Sequence, residues 1–269
     1  MSIRMIAIDL DGTLLHDDMT ISERARQVIH QAMMKGYRIV IATGRMWDSA
    51  KPKVDQLALG NVPVICYTGA WIMMSETGEP LWQDGIDPDL ASAIFQEGKS
   101  MGWDATGFWD GHIYMEKPNG TEEKYQKYRT QKPIYLGEDF FHPTKKVTRI
   151  VFADPDLTIR ETMRKHLEDT FGEQIDVIFP GDDFVDIHKK GINKAKALSY
   201  LMEKEHIRPE EVMAFGNTEN DVPMLRLAGT SYAVANADGI AKEAATHICA
   251  SNEDDGVAKV IEKLVTSGR

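Results

Sequence analysis

Cysteine is scarce in this chain. Its 269 residues hold two, Cys66 and Cys249, far apart and outside any CxxC spacing, which excludes a disulfide framework and a zinc ribbon and reads both as small buried residues. The eight histidines form no HExxH or HxxxH pair, so a histidine-based transition-metal site has no support. No run of about 18 apolar residues occurs, so no membrane span is expected. The N-terminal MSIRMIAIDLDGT meets two aspartates before a signal-peptide apolar region could form, and a cytoplasmic location is expected. Positive charge is also in deficit: 31 Lys+Arg against 42 Asp+Glu gives 31 − 42 = −11. That balance argues against nucleic-acid polymers and anionic membranes as partners. The chain says nothing of its oligomeric state.

What is present is an ordinary globular composition, 42% hydrophobic and 27% charged, in a length that favours two domains over one core. Ile3 to Asp9 is a short, mostly apolar segment ending in acid, glycine and threonine, the pattern of a strand buried on both faces. Thr20 and Glu23 form a T-x-x-E capping box, and apolar residues follow at helical spacing until Gly36. YRIVIATGR is then a second buried strand. Strand, helix, strand is a βαβ unit, whose parallel strands bring Asp9 and Thr43 to one edge of the sheet.

Pro63 to Trp82 reads as a strand and a hairpin, with Thr68-Gly69 as a turn signal, and WQDGIDP as a linker. Beyond it the style changes. Helices at about 90–101, 121–129 and 157–170 alternate with short, antiparallel-type strands around Asp110-Gly111, in VTRIVFA and in IDVIFP. The βα rhythm returns after Phe184, with helix Lys194 to Lys204, strand VMAFG, helix Val222 to Ala228, strand SYAVA and a last helix from Gly256. The expected architecture is α/β: a doubly wound, Rossmann-like parallel-sheet core from 1–83 and 185–269, interrupted by an inserted α+β domain at 84–184. Within 84–184 there are 12 basic and 20 acidic residues, a balance of −8.

Four segments could carry chemistry. Asp9 and Asp11, one residue apart at a strand's end, call for a divalent cation to offset them, although a bare DxDG also reads as a strand followed by an Asx-Gly turn. Thr43-Gly44-Arg45 offers a hydroxyl, backbone N–H groups and a guanidinium to phosphate oxygens beyond the carboxyl edge; a TGR turn is also common without function. Lys194 begins a predicted helix among Lys189, Lys190 and Lys196, where a solvated basic face is the plain alternative. GNTENDVPML puts Asn217, Asn220 and Asp221 in the turn after VMAFG, as oxygen ligands or simply as a helix cap.

Together, DLDGT, ATGR, a helix-leading lysine and GNTENDVPML stand in that order on βα turns. The chain resembles the haloacid dehalogenase superfamily of phosphatases, and within it the Cof-type hydrolases with a large cap between the second and third motifs. The resemblance covers essentially the whole chain. It implies that Asp9 is the nucleophile forming an aspartyl-phosphate, and that Asp11 is the general acid/base, its backbone carbonyl a metal ligand. It further implies that Leu10, Thr43, Gly44, Lys194 and Asn220 surround the phosphate, Thr43 and Lys194 taking part in catalysis, and that Asp9, Asp11, Asn217 and Asp221 hold Mg2+. Asn217 departs from the Gly-Asp usual in the fourth motif, replacing an anionic ligand with an amide oxygen. The implied substrate is a small phosphorylated metabolite: a sugar, nucleotide-derived or cofactor phosphate. A sugar phosphomutase of the same superfamily and a non-catalytic phosphometabolite-binding protein are the alternatives. Trp103, Phe108, Trp109, His112 and Tyr114 are candidate cap contacts to substrate, with a core role as the plain reading.

Overall fold

A computed structural model describes residues 2–120, 131–179 and 183–267 of the chain. The strands expected around the first motifs form because their residues are apolar without alternation, which suits a sheet covered on both faces. Strands β1 (Met5–Ile8), β2 (Arg38–Ala42), β3 (Pro63–Cys66), β4 (Trp71–Met74) and β5 (Pro80–Gln83) join β12 (Val212–Gly216), β13 (Thr230–Ala233) and β14 (His247–Ile248) in one sheet, ordered β14-β13-β12-β1-β2-β3-β4-β5. Every residue of β1, β3 and β12 is buried. From β14 to β3 the pairing is parallel, and β4 turns back antiparallel on β3. In the register Ile8 faces Ile41 on one side and Phe215 on the other, so β1, β2 and β12 end at one rim. The strand order reverses between β1 and β12, the switch point at which doubly wound sheets open a crevice.

Helices Glu23–Met34 and Gly256–Thr266 pack together, as do Lys194–Glu205 and Val222–Leu227. The capping box expected at Thr20 gives way to Ser22, whose Oγ accepts from the Ala25 N–H at 3.0 Å. Thr20 instead closes an Asx-type turn, its N–H and hydroxyl both donating to Asp18.

The second sheet comprises β6 (Ala105–Trp109), β7 (His112–Met115), β8 (Ile134–Tyr135), β9 (Arg149–Ala153), β10 (Ile175–Ile178) and β11 (Phe184–Lys189), ordered β10-β11-β9-β6-β7-β8. It is antiparallel except between β7 and β8. Helices Pro88–Ser100 and Leu157–Phe171 belong to the same unit, and Phe95, Phe140, Phe152 and Trp109 lie in its core. The helix expected at 121–129 lies outside the described residues.

The chain divides into one unit of Met1–Arg45, Ala50–Trp82 and Asn193–Arg269 and another of Met46–Ser49 and Gln83–Ile192. The expected boundary at 184/185 is thereby corrected. FVDIHK is a strand, β11, paired with both β9 and β10, so the segment up to Ile192 stays with the second unit. The short segment Met46–Ser49 likewise leaves the expected 1–83 span.

The aromatic residues of the second unit are chiefly core. Trp109 stacks on Tyr114 with centroids 3.9 Å apart, and Trp103 meets Phe152 edge-on at 5.7 Å. Phe108 alternates to the other face of its strand, where the Arg149 guanidinium lies 4.4 Å over its ring.

Candidate active site

Asp9 is the first residue past β1, and its N–H extends the parallel ladder to the Phe215 carbonyl at 3.1 Å. Its side chain is buried. Lys194, first residue of its helix, is wholly buried, and its Nζ donates to Asp9 Oδ1 and to Asp221 Oδ1 at 2.7 Å each. The other oxygen of Asp221 accepts the backbone N–H groups of Asn217 at 2.9 Å and Thr218 at 3.2 Å. Asp221 therefore fixes the turn after β12 and the lysine together, a supporting role with both oxygens already engaged. Burying one cation between two carboxylates is tolerable because each charge meets an opposite one at hydrogen-bond distance.

The residues expected to meet phosphate lie at or after the ends of neighbouring strands. Thr43 is buried, and its Oγ1 accepts from the Arg45 N–H at 3.1 Å, which leaves the hydroxyl proton to donate elsewhere. Asn220 Oδ1 accepts from the Thr218 hydroxyl at 3.0 Å. Its amide nitrogen lies 3.4 Å from where a Cβ on Gly44 would stand. Leu10 is buried directly after Asp9. Asp11 differs from the rest: its half-exposed carboxylate is held by Arg45, Nε lying 2.8 Å from Oδ2, and not by Lys194. Gly12 has φ +69° and a Cβ there would sit 2.5 Å from the Asn217 amide nitrogen, so only glycine lets Asn217 close onto the DxDG loop. Asn236 donates to the Gly12 carbonyl at 2.8 Å.

The electrostatics point the same way. Burial, then the charge of Asp221, push the Asp9 carboxyl up to about 7 although Lys194 pulls it down. For Lys194 burial favours the neutral amine, but Asp221 and Asp9 outweigh it and hold the pKa above its ordinary value. The site thus carries more negative charge near Asp9 than its lysine offsets. An added cation is the group that would balance it, and the donors that could hold it, the Asp9 carboxylate, the Asp11 carbonyl and the Asn217 amide oxygen, are hard oxygens that fit Mg2+.

Three groups lay beyond what the motifs indicated: Arg45 as the partner of Asp11, Asn236 on the Gly12 carbonyl, and the turn after β3. In that turn the Tyr67 N–H bonds the Arg45 carbonyl at 2.9 Å and the Thr68 N–H bonds the Thr43 carbonyl at 3.2 Å. The signal was available, since β3 is the third parallel strand ending at this rim and TG follows it.

The family model for haloacid dehalogenase-like hydrolases matches residues 6–261. This chain belongs to that family. It is of the Cof-type, with a cap inserted in the core, and is a phosphoric monoester hydrolase. The hydrolase is 30% identical over 275 residues to the 5-amino-6-(5-phospho-D-ribitylamino)uracil phosphatase YcsE of Bacillus subtilis (strain 168), covering 98% of this chain and 96% of that protein. It is 28% identical over 270 residues to the pyridoxal phosphate phosphatase YbhA of Escherichia coli (strain K12), covering 97% and 98%. Among solved structures, TM0651 from Thermotoga maritima superposes with a TM-score of 0.83 at 28% identity, covering 97% of each chain. No helix among the described residues is long and apolar enough to cross a membrane.

Proposed function

We propose that this hydrolase is a cytoplasmic, Mg2+-dependent phosphatase of small phosphorylated metabolites that works through an aspartyl-phosphate on Asp9. The observation that carries the reading is Lys194 Nζ at 2.7 Å from both Asp9 and Asp221 in a buried cluster, beside the Thr43–Gly44 turn and the Asn220 amide. Asp9 attacks phosphorus, and the P–O bond to the leaving group breaks as the Asp9–phosphorus bond forms. Asp11 gives its proton to the leaving oxygen, then takes one from the water that cleaves the acyl phosphate. The Arg45 guanidinium holds that carboxylate between the two tasks.

Thr43, the N–H groups of Leu10 and Gly44, Asn220 and Lys194 meet the phosphoryl oxygens, so most of the catalysis is electrostatic and pre-arranged. The Asp9 carboxylate, the Asp11 carbonyl and Asn217 would hold the metal, with Asp221 supporting them. When bound, Mg2+ supplies positive charge to the phosphoryl oxygens and keeps Asp9 ionised.

The relatives' substrates, a phosphoribitylamino-uracil and pyridoxal phosphate, suggest a compact heterocycle or sugar bearing one phosphate. The acidic balance of 84–184 disfavours extended polyanions. A screen of sugar, nucleotide and cofactor phosphates with Mg2+, scored by kcat/KM for phosphate release, tests the class. Release without any bisphosphate activator is expected; dependence on one would mean phosphoryl return, as in a mutase. Asp9→Asn is expected to abolish turnover while circular dichroism stays unchanged. Substantial residual kcat would remove Asp9 as nucleophile.

A further inference from the structure

Thr68 combines two unfavourable features at one residue. Its Oγ1 is buried and finds no hydrogen-bond partner, and the residue is 2% exposed. Its φ is +56°, between Tyr67 at +48° and Gly69 at +113°, a left-handed stretch that a β-branched side chain rarely adopts. A buried, unpaired hydroxyl and a strained backbone both destabilise a fold, and such features concentrate where a ligand later makes the missing contact.

The position of that hydroxyl identifies the contact. The Thr68 N–H is tied to the Thr43 carbonyl and the Tyr67 N–H to the Arg45 carbonyl, which sets the turn beside the Thr43–Gly44–Arg45 loop. A Cβ on Gly44 would lie 3.4 Å from Thr68 Oγ1 and 3.4 Å from Asn220 Nδ2. The missing side chain of Gly44 therefore leaves a small space that both a hydroxyl and an amide border. Both can donate, and a phosphoryl oxygen is an acceptor suited to such a space.

We infer that Thr68 is a phosphate-binding residue, its hydroxyl donating to a phosphoryl oxygen at the space over Gly44 that Asn220 also borders. This rests on the phosphatase reading above and extends it to a residue outside the four motif segments. A neutral donor here orients the phosphoryl group without adding charge, whereas Lys194 supplies the charge.

The test compares Thr68→Val, which keeps the shape and loses the hydroxyl, with Thr68→Ser, which keeps the hydroxyl. Inorganic phosphate is the probe, measured by calorimetry at fixed Mg2+ and as a competitive inhibitor. The valine variant should bind phosphate about 10- to 100-fold more weakly, the range for a hydrogen bond to a charged group, with kcat/KM falling alongside and the thermal midpoint equal or higher. The serine variant should stay close to wild type. Equal phosphate affinity in wild type and Thr68→Val would overturn the assignment, and so would equal losses in both variants, which would make the shape of the turn the cause. A wild-type protein that neither releases phosphate from any monoester nor binds it would overturn the phosphatase reading as well, so the two failures are distinguishable.

Discussion

Asn217 shows how one atom type sets the strength of a site. In the proposed Mg2+ site, an amide oxygen at Asn217 in place of a carboxylate would leave one anionic donor fewer, while the side chain lies against Gly12. Asn217→Asp should therefore tighten Mg2+ binding in a calorimetric titration, because hard divalent cations gain from each added anionic oxygen. Equal affinities would take Asn217 out of the metal's coordination. The variant also places a further anion near Asp9, whose carboxyl burial and Asp221 already push up. For this reason the gain should appear only with the metal present, and the metal-free variant should unfold at a lower urea concentration than wild type.

The turn Tyr67–Gly69 is the element on which the site's two sides converge. On one flank it bonds the Thr43 loop. On the other, a Cβ built on Gly69 would stand 2.2 Å from the Asn193 carbonyl oxygen and 3.0 Å from the Lys194 nitrogen. The start of the Lys194 helix can approach only because residue 69 has no side chain and tolerates φ +113°. Gly69→Ala should lower stability by about 1–3 kcal/mol in urea unfolding and reduce kcat, since relief of the clash displaces Lys194 from Asp9. An unchanged unfolding midpoint and kcat would show that the contact is slack. This turn is legible in the sequence only as a turn. Its partners lie more than a hundred residues away in Asn193 and Lys194, and no local pattern encodes that distance.

Each of the two units carries a buried ionic cluster, and that of the second makes stability depend on pH. In the second unit burial raises the Asp186 pKa, but Arg149, at 3.0 Å, and His188 outweigh it and hold the carboxyl below its ordinary value. The folded form thus releases this proton more readily than the unfolded form, whose value lies near 3.8. The stabilisation is fully present above that value and is lost as pH falls through the lower folded one. Asp186→Asn should cost about 2–3 kcal/mol at neutral pH by removing the carboxylate that offsets the Arg149 charge. Urea midpoints of variant and wild type should converge as pH drops from 5 to below 3.8. A gap that stays constant over that range would rule out the ion pair as its source.

The sequence by itself determined the strands β1, β2 and β12, because unbroken apolar runs bounded by polar turns have few other solutions. It also pointed to Asp9, Thr43 and Asn217 at one edge of a parallel sheet, since the βα rhythm fixes the direction of each strand, whereas the adjacency of β12, β1 and β2 came only with the folded sheet. It did not reveal β11, where Asp186 and His188 interrupt the apolar pattern just past the expected boundary at 184/185; their partners on β9 and β10 exist only in the folded sheet. Nor did it reveal which oxygen faces which cation. Lys194 could have been one more solvated lysine beside Lys189, Lys190 and Lys196 until packing buried it between two carboxylates, and Asp11 could have turned toward Asp9 until Arg45 took it. Direction along a chain is local and repeats in composition, whereas pairing across a fold depends on which surfaces meet, and that is settled only when the whole sheet has closed.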